Sequence, residues 1–146
     1  MSISINSLGP QDYQEWVVLW QGYLNFYQLR LSDEVTAKTW ERLNDPLIDM
    51  HGICARTETT EIVGIAHFLF HPVTWSLSDR CYLEDLFVAE TSRGAGIGTA
   101  LIEAVYQAGR QRNADQVYWL TAQDNAAARR LYDRVGQLTP FIKYRN

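Results

Sequence analysis

Arg93-Gly94-Ala95-Gly96-Ile97-Gly98-Thr99 is the stretch on which the fold of this 146-residue chain turns. Its three glycines alternate with other residues and sit between two apolar segments of different period. Before it, Cys81-Tyr82-Leu83-Glu84-Asp85-Leu86-Phe87-Val88 carries apolar side chains on both faces of an extended chain, the pattern of an interior strand. After it, Ile97, Leu101, Ala104, Val105 and Ala108 fall on one helical stripe. Glycines at such a strand-to-helix junction let the backbone turn tightly and let amide N–H groups approach a ligand. The helix that follows adds free N–H donors and the positive end of its dipole. Together these make an anion site suited to a pyrophosphate.

Several readings of the loop compete. A Walker loop ends in Gly-Lys-Ser/Thr, and here Gly98-Thr99 stands without a lysine. A dinucleotide fingerprint starting at Gly94 needs a glycine where Thr99 stands. A glycine-rich turn with no ligand remains open on the loop alone.

Working outward, Ile3 and Ile5 alternate with polar residues and predict a short first strand. Gly9-Pro10 breaks it and opens a helix with Trp16, Trp20, Tyr23 and Tyr27 along one face, a core stripe whose end lines an acceptor pocket in an alternative reading. Ser32-Asp33-Glu34 starts a second helix that runs through Trp40 toward Leu43 and stops at Asn44-Asp45-Pro46. Residues 52–56 and 61–70 are strand-like, and the polar 57–60 between them predicts a hairpin. Residues 116–121 read as a strand, 125–135 as a helix ended by Gly136, and 141–144 as a final strand. The expected fold class is α/β: one domain over residues 1–146, with a mixed, mostly antiparallel sheet flanked by helices.

Charge and composition narrow the function. With 13 basic and 17 acidic residues the net charge is −4, which argues against a nucleic-acid partner. It suits a cationic substrate, or solubility alone. No apolar run approaches the roughly 20 residues of a membrane span, and the N-terminus has no signal-like pattern. A cytoplasmic protein with no membrane partner is therefore expected, and a homodimer is carried as an expectation. Cys54 and Cys81 lie in apolar runs without CxxC or Cys/His spacing, which favours buried free thiols over a disulfide, and no metal-site signature is present. His51, His67 and His71 are scattered and read as surface or strand residues.

The pattern Arg-x-x-Gly-x-Gly at Arg93 to Gly98 resembles the acyl-CoA loop of the GNAT acetyltransferase superfamily. Residues 82–88 resemble that family's strand before the loop. Asp124-Asn125 and the segment 128–136 resemble its second CoA-contacting helix. Three motifs in order, over a little more than a third of the chain, carry the likeness. Within the family the pattern is most similar to spermidine/spermine acetyltransferases and small histone-and-polyamine acetyltransferases, with the N-terminal half matching only loosely.

The resemblance implies an N-acetyltransferase that moves an acetyl group from acetyl-CoA to a primary amine of a polyamine, amino acid or protein lysine, by direct attack on the thioester. It implies that Arg93, Gly94, Ala95, Gly96, Ile97, Gly98 and Thr99 wrap the pyrophosphate, and that Leu86, Phe87 and Val88 bind the pantetheine through their backbone. Asn125 reads as an N-cap, and by resemblance also as a CoA contact. Tyr132 falls on the apolar stripe of its helix, yet the resemblance places it beside the thioester sulfur as the acid for the leaving thiolate. Alternation sends Glu84 and Asp85 to opposite faces of the strand. The resemblance favours Glu84 as base and leaves Asp85 a structural hydrogen bond, while a structural role for both stays open. Two rivals share the loop: an enzyme using a longer acyl-CoA, and a non-catalytic acyl-CoA-binding regulatory module.

Overall fold

The computed structural model describes residues 2–146. A short strand β1 (Ser4–Ser7) leads through a 3₁₀ turn at Pro10–Asp12 into α1 (Tyr13–Phe26) and α2 (Asp33–Leu43). Strands β2 (Met50–Arg56), β3 (Ile62–His71) and β4 (Arg80–Val88) follow, then α3 (Ile97–Gln111), β5 (Val117–Tyr118) and α4 (Ala126–Val135). The sheet order is β1-β2-β3-β4-β5. The first four strands pair antiparallel, and β5 joins β4 in parallel. The α/β class with a mixed, mostly antiparallel sheet is the expected one.

Local chemistry accounts for the boundaries. Ser32 caps α2 by accepting the N–H of Val35 at 3.2 Å, with Asp33 and Glu34 in the first turn and Arg42 in the last, so charge opposes the helix dipole at both ends. Asn125 caps α4 through the N–H of Ala128 at 3.4 Å. Between β2 and β3 the turn is closed by the N–H of Thr57 on the carbonyl of Glu61 at 2.9 Å.

Two apolar clusters cover the two faces of the sheet. On one, Trp16, Leu19, Trp20 and Leu24 of α1 meet Cys54, Ile62 and Ile65. On the other, Ile97, Leu101, Ile102 and Val105 of α3 meet Ala66, Phe68, Cys81 and Leu83. Burying one leucine or isoleucine contributes roughly 1.5–3 kcal/mol, so the stripes read in the sequence are the main source of stability. Cys54 and Cys81 are both buried and free, and they sit in opposite clusters with the sheet between them.

Two strand expectations need correction. Of residues 116–121 only Val117 and Tyr118 pair, opposite Cys81 and Tyr82. Residues 141–144 form no strand; Phe141, Ile142 and Tyr144 are exposed. Strand-forming side chains need a paired backbone and a face to cover, and β5 is too short to offer either.

A buried ion pair ties the 3₁₀ turn to the sheet. Asp12 accepts the N–H of Gly9 at 2.8 Å and the Arg56 guanidinium at 2.7 Å. Burial alone would raise its pKa, but the Gly9 N–H and the Arg56 charge outweigh burial and hold the carboxyl below its usual value. A carboxyl depressed in the folded state adds stability above its unfolded pKa of about 3.9 and loses it as pH falls through the lower folded value. Asp12→Asn is therefore expected to cost about 1–3 kcal/mol at pH 7 in chemical denaturation. The gap to the unaltered protein should close below about pH 4. A gap that stays constant down to pH 3 overturns this account.

Candidate active site

The register of β4 against β3 decides how the site is built. Asp85 pairs with His67 and Leu83 pairs with Phe68, so Glu84 is an extra residue, a β-bulge. Its consequence shows in the core. Cys81 and Leu83 point to the α3 face before the bulge; Leu86 and Val88 do so after it. The parity of the strand has switched by one. Glu84 and Asp85 are thus not on opposite faces, as alternation predicts; both line the same cleft toward α2.

Asp85 is held from below. Its Oδ2 lies 2.8 Å from Nδ1 of His67, whose side chain is 3% exposed. On the other ring nitrogen, Trp16 donates its Nε1–H to Nε2 of His67 at 3.0 Å. Indole is only a donor, so Nε2 must be the acceptor and Nδ1 must carry the hydrogen given to Asp85. Of the two readings, surface or strand, His67 takes the second: it stands on β3 and is the buried link between α1 and β4. Tyr23 completes the set: burial first, then the neighbouring Asp85 carboxylate, push its hydroxyl pKa well above the ordinary value, so it remains a hydrogen donor. Glu84, though exposed, has its own carboxyl raised, by partial desolvation at the cleft first and by Asp85 second. The two adjacent carboxylates thus differ in surroundings, Asp85 held by His67 and Glu84 open to the cleft.

The other side of β4 is open. Its pairing with β5 stops at Tyr82, while its pairing with β3 continues to Val88. Leu86, Phe87 and Val88 therefore belong to a sheet edge that faces the diverging residues 119–122. At the end of this edge the glycine loop turns into α3. Gly94 and Gly96 have φ of +84° and +79°, the left-handed region that glycine enters without strain. An added Cβ at either would meet nothing within 4 Å, so the loop surface is bare backbone. The N–H groups of Ile97, Gly98 and Thr99 open the 15-residue α3. Arg93 does not reach out from the loop. Its Nε donates to the carbonyl of Val88 at 3.0 Å and its guanidinium lies over Phe87 and Phe26, pinning the loop to β4 and α1.

Tyr132 projects from α4 against Trp119, ring centroids 5.5 Å apart. Burial, and secondarily Tyr27, push its pKa up to about 12. It lines a cleft of about 360 Å³ with Tyr23, Tyr27, Glu84, Leu86 and Trp119. The second cleft, about 290 Å³, lies between β4 and α2 and shares Tyr23 and Glu84 with the first. Asn125 caps α4 and also donates to Thr121 Oγ1 at 3.4 Å. Sequence reasoning missed the Trp16–His67–Asp85 chain. The two adjacent acids in an apolar strand, with hydrophobic parity changing across them, were the available sign of the bulge.

With this geometry in place, the comparisons with known proteins are specific. The model of the acetyltransferase (GNAT) family matches residues 14–137. The chain is 34% identical over 144 residues to the D-amino-acid N-acetyltransferase HPA3 of Saccharomyces cerevisiae, covering 98% of this chain and 89% of that protein. Among solved structures, the ribosomal-protein-alanine N-acetyltransferase of Brucella melitensis biovar Abortus 2308 superposes with a TM-score of 0.78 at 20% identity, over 99% of this chain and 98% of that one. AAC(6')-Iy, in complex with the bisubstrate analog CoA-S-monomethyl-acetylneamine, superposes with a TM-score of 0.81 at 19% identity, over 100% of this chain and 99% of that one.

The hydrogen-bond chain makes a direct prediction. Nitrogen NMR of histidine-labelled protein at neutral pH should show His67 as the Nδ1–H tautomer, and Trp16→Phe should relax that preference. Finding Nε2 protonated in the unaltered protein removes the Trp16–His67 bond.

Proposed function

The chain belongs to the acetyltransferase (GNAT) family, and on that premise we propose that its acceptor is the α-amino group of a small amino acid, reached through the cleft beside α2. Transfer of an acetyl group from acetyl-CoA to an amine follows from the family and from the yeast relative. That relative acts on D-amino acids, which supports an amino-acid acceptor here. The observation that carries the site is the meeting of the two clefts at Tyr23 and Glu84. A thioester in one and an amine in the other come together at a carboxylate.

In this reading the pantetheine of acetyl-CoA lies along the open edge at Leu86, Phe87 and Val88, adding hydrogen bonds where β5 has left. The pyrophosphate rests on the loop from Arg93 to Thr99, taken by backbone N–H groups and the helix dipole. Arg93 serves by fixing the loop to Val88 rather than by touching phosphate. Asn125 keeps the start of α4, and so Tyr132, in place.

Only a neutral amine attacks. An α-amino group, with a reference pKa of about 8 that a neighbouring free carboxylate raises further, is mostly protonated at pH 7, and deprotonating it costs roughly 1.4 kcal/mol or more. Glu84, exposed at the bulge and raised by its surroundings, takes that proton directly or through one water. The amine nitrogen then bonds to the thioester carbon, the oxyanion meets a backbone N–H of the open edge, and the C–S bond breaks. Tyr132 supplies the hydrogen for the departing sulfur, and the second proton that the nitrogen sheds as the amide forms returns the phenolate to its neutral form. A hydroxyl near 12 is a reluctant acid toward a thiol of about 8.5, but the burial that raises the phenol raises the thiol as well.

A polyamine acceptor, the class suggested by the likeness of residues 82–88, has Glu84 and Asp85 in its favour. The discriminating experiment is a panel of D- and L-amino acids, their amides, polyamines and lysine peptides with acetyl-CoA, following free thiol. Amino acids should give the highest kcat/KM; a preference for polyamines or peptides overturns the acceptor reading.

Two substitutions test the machinery. Holding a β-branched residue at φ +79° costs roughly 1–2 kcal/mol. Gly96→Val should therefore weaken acetyl-CoA binding about five- to thirty-fold by calorimetry, as the free loop relaxes away from the conformation that presents its N–H groups, with helix content unchanged. Unaltered affinity removes the loop from the binding site. Tyr132→Phe keeps the ring against Trp119 and should lower kcat by about 10²–10⁴ with little change in acetyl-CoA affinity or Tm. A mutant that melts earlier yet turns over at the unaltered rate reduces Tyr132 to a core residue.

A further inference from the structure

The cleft between α2 and β4 carries opposite charges on opposite walls. On the β4 wall stand Glu84 and Asp85, the latter oriented by His67. On the α2 wall, Val35, Thr39 and Arg42 follow at i, i+4 and i+7, one face of the helix turned into the cleft. Among the described residues Arg42 is the one lysine or arginine lining this cleft, and its guanidinium takes part in no ion pair. By contrast Arg56, Arg80 and Arg112 each hold an aspartate. Leu24, Leu29, Leu31 and Met50 supply the remaining apolar wall.

We propose that this cleft is a zwitterion subsite in which Arg42 binds the α-carboxylate of the acceptor while Glu84 and Asp85 face its amine. The proposal rests on the amino-acid reading above and gives it a residue. A guanidinium presents paired N–H donors in a plane that matches a carboxylate, which Thr39 can supplement with its hydroxyl. The substrate's two charges then set its direction: the carboxylate toward α2, the nitrogen toward the junction with the thioester cleft. A polycation meets the wrong charge at Arg42, whereas a zwitterion meets complements at both ends. The apolar wall selects amino acids with hydrophobic side chains.

Thermodynamically, Arg42 also suits the C-terminal turn of α2, where a cation complements the dipole. That structural role acts equally on every substrate, so the informative readout is a ratio. KM should be measured for phenylalanine, as both enantiomers, and for phenylalaninamide, which keeps the shape and loses the carboxylate charge. Arg42→Gln should raise KM for phenylalanine about 10- to 100-fold and leave KM for the amide within about twofold, as expected when a charge-assisted bond is lost. Arg42→Lys should restore part of the difference, keeping the charge without the fork. Lys143, which lines the thioester cleft, is the rival cation, and Lys143→Met should leave the ratio unchanged. If phenylalanine is a substrate and Arg42→Gln leaves the ratio unaltered, or Lys143→Met alone changes it, the subsite is wrong and the amino-acid reading stands. If the unaltered protein acetylates amides and amines but no amino acid, both fall.

Discussion

One extra residue in β4 organises the active side of this molecule. If Glu84 were part of a regular ladder, a single strand parity would run from Arg80 to Val88, and either Leu83 or Leu86 would leave the α3 core. The bulge keeps both packed on the α3 core, and it does so by ejecting one backbone unit at the centre of the strand. The ejected residue is a carboxylate, whose solvation would be lost at a regular interior position. At the bulge it reaches the junction of two clefts. Packing on one face and, in the proposed mechanism, chemistry on the other are satisfied by the same irregularity.

That irregularity is braced from the α1 side. Asp85, the residue after the bulge, is joined through His67 to Trp16, and Trp16 is fully buried, stacked on Trp20 and tilted against Trp40. A buried carboxylate on a bulged strand has no regular partner. The imidazole gives it one, and the indole fixes which nitrogen does the giving. The aromatic stripe of α1 is therefore more than apolar area. Its inner members orient an acid, while at its outer end Tyr23 lines both clefts and Tyr27 the first.

How much of this the sequence exposes follows from the range of each interaction. The loop from Arg93 to Thr99, the α3 stripe and the caps at Ser32 and Asn125 depend on neighbours a few residues away, and they read directly from the chain. The hairpin at 57–60 does too. The bulge depends on which residue of β3 stands opposite which of β4, a register that no local pattern states, although Glu84 and Asp85 side by side among apolar residues hint at it. His67 was unreadable because its partners, Trp16 and Asp85, are 51 and 18 residues away. The strand expected at 141–144 failed for a related reason. Phe141, Ile142 and Tyr144 have strand-like side chains, but a strand exists only where another backbone accepts it, and β5 pairs over two residues.

The halves of the chain also differ in what a substitution costs. Leu86, Tyr132 and Ile97, to which the proposed mechanism gives binding or chemistry, also pack in or against the α3 core, so changing them disturbs stability and function together on that reading. The α2 side is different. Leu29, Leu31 and Val35 line the acceptor cleft yet remain 47%, 41% and 42% exposed, and Arg42 is exposed as well. Substitutions at such positions ordinarily shift stability by no more than about 0.5 kcal/mol. A catalytic frame built from residues that cannot vary cheaply is thus set beside an acceptor wall built from residues that can. On the proposed reading, selectivity for the amine then lies in the turn and helix between residues 27 and 43, where a change of charge or size alters the substrate without unsettling the sheet.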